Sequence, residues 1–180
     1  MGGVRLSAWF APAADREAID WGAVYAQELS RVLNYFRYRG FERTTAEDLT
    51  SATFEKAWRG RERYRPERAA VSTWLVAIAR NVATDHLRRP RREVPLEEVC
   101  ARDEATPETE ALADADRRRL RMLLAGLPER ERELLALKYG AGETNRAIAR
   151  LAGLSESNVG TILHRALTGL RARWDEGGAR

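Results

Sequence analysis

The feature that most constrains the fold of this 180-residue chain lies in its last third, where two short helical patterns meet at a glycine. Gly153 supplies the positive φ that a tight turn between two helices requires. Ala149 is small enough for a second helix to cross closely, and Ser155 is placed to cap that helix. The second helix carries an apolar face that would clamp it onto the first, formed by Val159, Ile162 and Leu163. Segment 144–165 is therefore expected to form a helix-turn-helix.

A helix-turn-helix usually lays its second helix in the major groove of DNA, so the motif predicts a DNA partner. The charge distribution agrees with this prediction. Residues 61–92 hold nine Arg and three acids, residues 93–116 hold nine acids and one Arg, and residues 144–173 hold five Arg and one Glu. Basic segments favour nucleic acid through counterion release. Taken singly, each cluster is explained equally well as a solvated helix face.

Composition excludes several classes of protein. The chain is 32% charged and 44% hydrophobic, which is typical of a globular domain, and no apolar run approaches the ~20 residues that cross a bilayer. We therefore expect no membrane insertion. Residues 1–19 lack the basic cluster and long apolar core of a signal peptide and are expected to form an N-terminal arm. The lone Cys100 excludes an intramolecular disulfide and a cysteine-clustered zinc site, and favours the cytoplasm.

Helical periodicity predicts three helices in residues 20–92. The first ends at Gly40, the second opens with a capping box at Thr45–Asp48, and the third is stopped by Pro90. Residues 93–108 form an acidic, proline-containing linker. Residues 109–175 form a second helical module that includes the helix-turn-helix, and residues 176–180 form a tail. The chain shows no strand-like alternation, so the predicted fold is all-α: two small helical domains joined by a flexible acidic linker.

Three stretches, in order, resemble the sigma-70 family, specifically the extracytoplasmic-function (ECF) sigma factors. They are Ala46–Leu49 continuing through Phe54 to Arg59, Ser72–Asn81 continuing to Asp85–Arg89, and Leu127–Arg130 continuing through Leu163–Leu167 to Arg171. The resemblance implies a sigma2-like bundle in 20–92 and a sigma4-like helix-turn-helix domain in 109–175. It implies a protein that binds bacterial core RNA polymerase, directs it to promoter DNA and helps melt that DNA. It implies no catalytic residue, cofactor or metal, and an anti-sigma factor as a further partner.

The resemblance assigns the second helix to polymerase binding, through Glu47, Asp48, Leu49, Phe54 and Trp58. A charge-assisted contact from Asp48 and aromatic anchors would supply the binding energy. Phe54 and Trp58 are equally the kind of residue that packs a bundle core. The chain has Ser51-Ala52 where relatives often have Gln-Glu, so part of the usual polar contact set is absent.

The third helical stretch resembles the element that melts the promoter and reads its −10 sequence. Unstacking bases costs a few kcal/mol per step, which a pocket for a flipped base and a basic track would offset. Asn81 falls where the family captures such a base, and its amide can both donate and accept. Asp85 would shape that site, and Tyr64 would stack on a base. The expected phosphate contacts are Arg80, Arg88 and Arg89.

The second helix of the helix-turn-helix would read the −35 duplex. The side chains that helical spacing directs away from Val159 and Ile162 are Ser157, Asn158, Thr161 and Arg165. Gly160 stands where relatives commonly place Arg or Lys, which implies weaker direct readout and more reliance on DNA shape. The expected phosphate contacts, which are also explained as solubilising charges, are Arg146, Arg150 and Arg171.

Two other classes of function compete with the sigma-factor interpretation. A polymerase-independent helix-turn-helix regulator would need a sensor or dimerisation domain in residues 20–92, where a basic bundle stands instead. An enzyme would need converging carboxylates, a metal cluster or an activated nucleophile. The histidines His86 and His164 lie in different modules. For the linker, we considered a role as an acidic mimic of nucleic acid in a polymerase channel, beside that of a plain tether.

Overall fold

The computed structural model describes residues 19–88 and 109–178, and their regular structure is helical. This confirms the predicted all-α class. Of the predicted N-terminal arm, residues 1–19, only Ile19 is described. The linker in residues 93–108, the predicted helix stop Pro90 and the predicted phosphate contact Arg89 lie outside the described residues. The α-helices are α1 (Trp21–Tyr38), α2 (Arg43–Gly60), α3 (Val71–Arg88), α4 (Thr109–Ala125), α5 (Glu129–Leu135), α6 (Asn145–Ala152) and α7 (Glu156–Gly178).

Helices α1 to α3 form the first bundle. Asp20 caps α1 by accepting hydrogen bonds from the backbone N–H groups of Gly22 and Ala23. Gly40, with φ +86°, ends α1 as predicted, because the left-handed conformation favours glycine. The predicted capping box at the start of α2 is wrong. The helix already begins at Arg43, and the backbone N–H of Ala46 donates to the Glu42 carbonyl at 2.7 Å, so residue 45 lies inside the first turn.

Helices α4 to α7 form the second bundle and contain the predicted helix-turn-helix. Thr144 caps α6, its hydroxyl accepting from the Ala147 N–H at 3.1 Å. Gly153 has φ +66° and turns the chain into α7. The Ser155 hydroxyl accepts from the Asn158 N–H at 3.2 Å, and Val159 is fully buried. The motif therefore has the caps, the hinge and the clamp that its sequence predicts, and α7 continues past Trp174 to Gly178.

The two bundles share one continuous apolar core, which their sequences did not predict. A π-helical turn, Ala136–Gly140, follows α5 and packs against α1. Gly140 is the point of closest approach. A Cβ atom there would lie 2.8 Å from the carbonyl oxygen of Asn34 and 2.9 Å from the Cα of Tyr35. Only a residue without a side chain permits this contact between the two backbones.

Candidate functional site

Helix α2 has one face buried in the bundle and one face exposed to solvent. The exposed stripe contains Glu47, Asp48 and Trp58, three of the residues expected to contact polymerase. Leu49 does not belong to this stripe. Its side chain is 7% exposed and packs in the core, so it holds α2 in place and presents no surface to a partner. The remaining members of the buried face are Ala46, Thr50, Thr53 and Ala57.

An apolar groove of about 280 Å³ opens beside the exposed stripe of α2. Phe54 is half-buried there, with its ring centroid 4.7 Å from that of Tyr25 in an edge-to-face contact. Trp58 is 53% exposed, and the Arg61 guanidinium lies 4.1 Å above its ring. Exposed aromatic area of this kind is what a protein partner buries at a hot spot. The groove is completed by Trp21, Gly22, Val24, Ala57 and Leu75.

Helix α3 exposes Asn81, Asp85 and Arg88 at a spacing of four and three residues, so they follow one face of the helix. Asp85 pairs with Lys56 of α2 at 3.1 Å, and both side chains are more than half exposed. Arg80 lies on a different face and points toward the second bundle, where it is hydrogen-bonded.

Tyr64 is not available for stacking in this structure, which corrects the expectation drawn from its place in the basic loop. The side chain is 7% exposed, its hydroxyl donates to the Ala69 carbonyl at 3.0 Å, and its ring centroid lies 5.1 Å from that of Trp74. Burial raises the pKa of this phenol, and the nearby charge of Glu67 adds to the effect. Tyr64 therefore anchors the basic loop to α3 instead of presenting a ring to DNA.

The recognition helix α7 exposes the four side chains expected to read DNA: Ser157, Asn158, Thr161 and Arg165. The Thr161 hydroxyl donates to the Ser157 carbonyl at 3.1 Å, and the Arg165 guanidinium pairs with Glu131 of α5 at 2.8 Å. Because Arg165 remains 69% exposed, this pair holds it only weakly. The expected phosphate contacts Arg146, Arg150 and Arg171 are also exposed.

A set of polar contacts joins the two bundles, and the sequence predicted none of them; Arg80 was singled out only as a phosphate contact. Arg80 Nε donates to Glu133 at 2.6 Å, and its Nη1 donates to the Leu151 carbonyl at 2.7 Å. Thr73 donates to Glu143 at 3.1 Å. The guanidinium of Arg39 pairs with the carboxylate of Glu129, and the Arg121 guanidinium lies 3.9 Å from the Glu42 carboxylate. The partners stand 53 to 90 residues apart in the chain, so no local pattern could identify them.

Burial and charge perturb three acidic groups at this contact in different directions. Partial burial by itself raises the pKa of Glu129, but the hydrogen bonds and charges of Arg132 and Arg39 together hold it below its usual range. Burial raises the pKa of Glu143 and outweighs the hydrogen bond from Thr73. Burial also raises the pKa of Tyr35, whose hydroxyl finds no hydrogen-bond partner among the described residues.

Comparison with known families decides the identity of the chain. Residues 24–93 match the family model for sigma-70 region 2, and residues 117–170 match the model for sigma-70 region 4. A curated ECF sigma factor, ShbA of Streptomyces griseus, is 33% identical over 76% of this chain and 75% of its own length. The chain belongs to the sigma-70 family. Within that family, its curated relatives place it among the ECF RNA polymerase sigma factors.

One further curated relative and two solved structures are similar to this sigma factor. ECF sigma factor BldN of Streptomyces coelicolor is 32% identical over 84% of this chain, which spans 59% of BldN. Among solved structures, CnrH in complex with the cytosolic domain of CnrY has a TM-score of 0.67 at 23% identity, covering 87% of this chain and 88% of CnrH. RpoE of Bartonella quintana, in complex with the anti-sigma factor NepR, has a TM-score of 0.66 at 20% identity, covering 85% and 95%. These two structures share the fold.

The helices within the described ranges include none that is both long and apolar enough to cross a lipid bilayer.

Proposed function

We propose that this sigma factor binds bacterial core RNA polymerase through the exposed stripe of α2 and the aromatic groove beside it. The exposed carboxylates of Glu47 and Asp48 offer charge-assisted contacts to a basic partner surface. Phe54 and Trp58 offer the apolar area that such an interface buries. The observation that carries the proposal is that the polar members of the region 2 motif face solvent, while Leu49 of the same motif packs inside.

The proposed melting surface is the face of α3 that carries Asn81, Asp85 and Arg88. The exposed Asn81 amide can both donate to and accept from the edge of an unpaired base. Arg88 would contact the phosphates of the separated strand, and Asp85 would position neighbouring groups through its pair with Lys56. In this proposal the first bundle reads the −10 element as melted single strand, and the sigma factor contributes no catalytic chemistry of its own.

The proposed −35 surface is the exposed face of α7. Ser157, Asn158 and Thr161 are short polar side chains near the start of the recognition helix, where base edges are usually read. Arg165 would contact a base edge or phosphate after leaving Glu131. Gly160 contributes no side chain to this face, so shape and phosphate contacts would carry more of the affinity. The phosphate contacts in this proposal are Arg146, Arg150 and Arg171.

We further propose the functional division of the chain as a region 2 domain at 20–92, a linker at 93–108 and a region 4 domain at 109–175, acting in the cytoplasm. An anti-sigma factor is a fitting partner class, since the related fold of Bartonella quintana RpoE was solved with one. The acidic charge of the linker is the basis of the hypothesis that it mimics nucleic acid in a polymerase channel. Unchanged abortive transcripts after neutralising its acids would count against that role.

Replacing Asp48 with arginine tests the proposed polymerase surface. The side chain is exposed, so D48R should keep the wild-type melting temperature and lose affinity for purified core polymerase by at least tenfold. The matched control is Glu55→Arg, which reverses a charge farther along α2. Wild-type affinity of D48R would remove Asp48 from the interface. A chain that binds its promoter alone and never associates with core would instead favour a polymerase-independent regulator.

A further inference from the structure

The apolar groove beside α2 presents aromatic side chains to solvent. Tyr25 is 48% exposed and Trp58 is 53% exposed, and Phe54 packs edge-to-face on Tyr25 between them. An exposed apolar patch of this kind marks a binding site. The groove has a volume of about 280 Å³, just below that of pockets that hold a drug-sized ligand, so it suits a few side chains of a peptide.

One wall of this groove is the start of α1, which is also the point where the N-terminal arm joins the bundle. Trp21 and Gly22 line the groove and are the first two residues of the helix. Asp20 caps the helix with an extended backbone, and Ile19 before it is half-buried. Residues 1–18 of the arm precede this point in the chain. The arm is therefore tethered at the edge of the groove.

The arm has the composition of a ligand for this groove. Leu6, Trp9 and Phe10 bring three large apolar side chains together within five consecutive residues. Arg5 beside them is the one charged side chain before Asp15, and its sign is opposite to that of the exposed carboxylates on α2. Aromatic rings and a cation are also what the proposed function asks of the polymerase surface. The arm thus carries the chemistry of that partner within the same chain.

The length of the tether favours the arm over a separate molecule as the occupant. Residues 11–20 separate Phe10 from Trp21, and at about 3.3 Å per residue they reach up to about 33 Å. A tether of this length gives an effective concentration on the order of 1 mM, about a thousandfold above that of a second copy at about 1 µM. A contact with a dissociation constant of about 0.1 mM would then fill the groove in about nine-tenths of the molecules. A weak contact therefore suffices.

We propose that segment 5–10 of the N-terminal arm binds the aromatic groove of its own chain and competes there with core polymerase. This inference rests on the proposed function, because it takes the groove as part of the polymerase surface. Both ligands would bury the same faces of Phe54 and Trp58, so they exclude each other. A site that is free in about a tenth of the molecules binds its partner about tenfold more weakly. Release of the arm should therefore raise the affinity for core polymerase about tenfold.

Photo-cross-linking tests the occupant of the groove without polymerase. Phe10→benzoylphenylalanine places a photoreactive ring in the full-length chain, and mass spectrometry maps where it reacts. We expect intramolecular cross-links to peptides that contain Tyr25 or Trp58. Adding Trp9→Ser should lower their yield, whereas the matched control Ala13→Ser should leave it unchanged. Cross-links that map to other surfaces, or that form only between two chains, would overturn the proposal.

Affinity for purified core polymerase tests the competition. The double variant W9S/F10S should bind core about tenfold more tightly than wild type, and the matched control A13S/A14S should bind like wild type. All four substitutions precede the α1 cap, so both variants should keep the wild-type helical content by circular dichroism. Wild-type affinity of W9S/F10S would overturn the proposal. Groove cross-links together with no core binding by any form, including wild type, would support the arm as the occupant and refute polymerase binding instead.

Discussion

The pair formed by Arg39 and Glu129 offers the sharpest test of how the two bundles are held. The Arg39 side chain is 3% exposed and its Nε and Nη1 atoms have no partner among the described residues, so Glu129 is the acceptor that compensates its buried charge. Glu129→Gln removes the negative charge and leaves the guanidinium in place. An uncompensated buried cation is costly, since its desolvation is no longer offset.

The magnitude follows from the exposure of the two partners. A hydrogen bond to a charged group contributes about 1.5–3 kcal/mol. Glu129 is 52% exposed, and water reaches the site from its side, so the lower part of this range applies. We therefore expect E129Q to lower the free energy of unfolding by about 1.5–2 kcal/mol. For a chain of this length that corresponds to a decrease in melting temperature of about 3–8 °C.

The assay is urea denaturation followed by circular dichroism on E129Q, Arg39→Met and the double variant. Methionine removes the cation while filling its apolar space, so R39M should be near neutral. E129Q should cost less in that background than alone, because only the more exposed pair of Glu129 with Arg132 is then lost. The control is Glu55→Gln, which breaks an exposed pair with Arg59 and should cost at most about 0.5 kcal/mol. Equal losses for E129Q and E55Q, or additive effects in the double variant, would refute the reasoning.

Three other substitutions test the melting surface, the turn of the helix-turn-helix and the buried carboxylate. Asn81→Ala should reduce open-complex formation about tenfold more than closed-complex binding, measured by permanganate footprinting and gel shift; equal reductions would argue against a flipped-base role. Gly153→Ala should lower the free energy of unfolding by about 1–2 kcal/mol, because φ is +66° at this position and the space around it is open, so the backbone conformation is the cause. The control Gly169→Ala lies inside α7 and should not lower stability. Equal melting temperatures of the two variants would contradict the backbone argument. Glu143→Gln should raise the melting temperature at pH 7.5, because the pKa of Glu143 is raised in the folded protein and wild-type stability is therefore lost as pH rises. The difference between variant and wild type should shrink as pH falls toward 4.5. A pH-independent difference would show that the carboxylate charge is not the cause.

Local sequence determined most of the helices and the turn between the last two. Gly40 and Gly153 adopt positive φ where the sequence placed helix ends, and Ser155 caps α7 as predicted. These features depend on residues within one or two turns of each other, so they are visible in a short window of sequence. The prediction of a capping box at Thr45 was wrong, because α2 already begins at Arg43 and Thr45 lies inside its first turn.

Burial within a bundle was harder to predict than helix ends. The position of Tyr64 in a basic loop predicted an exposed ring that stacks on a base, yet its ring packs against Trp21 and Trp74. Leu49 lies in a motif associated with polymerase contact, yet it faces the core. In both cases packing against a neighbouring helix decides which side chain is covered, and helical periodicity within one segment does not show that packing.

By itself, the sequence determined that this chain is helical, that its last helices form a helix-turn-helix and that its motifs are those of a sigma factor. The helices and the turn follow from helical periodicity, caps and glycines, which act over a few residues, whereas the sigma-factor assignment rests on the resemblance of three stretches of the chain to that family. Only the tertiary structure decided that the two bundles share a core and that Gly140 contacts α1. It also decided that Arg80 binds the second bundle. Such contacts join residues 53 or more positions apart, and their energy depends on distances and burial that no local pattern encodes.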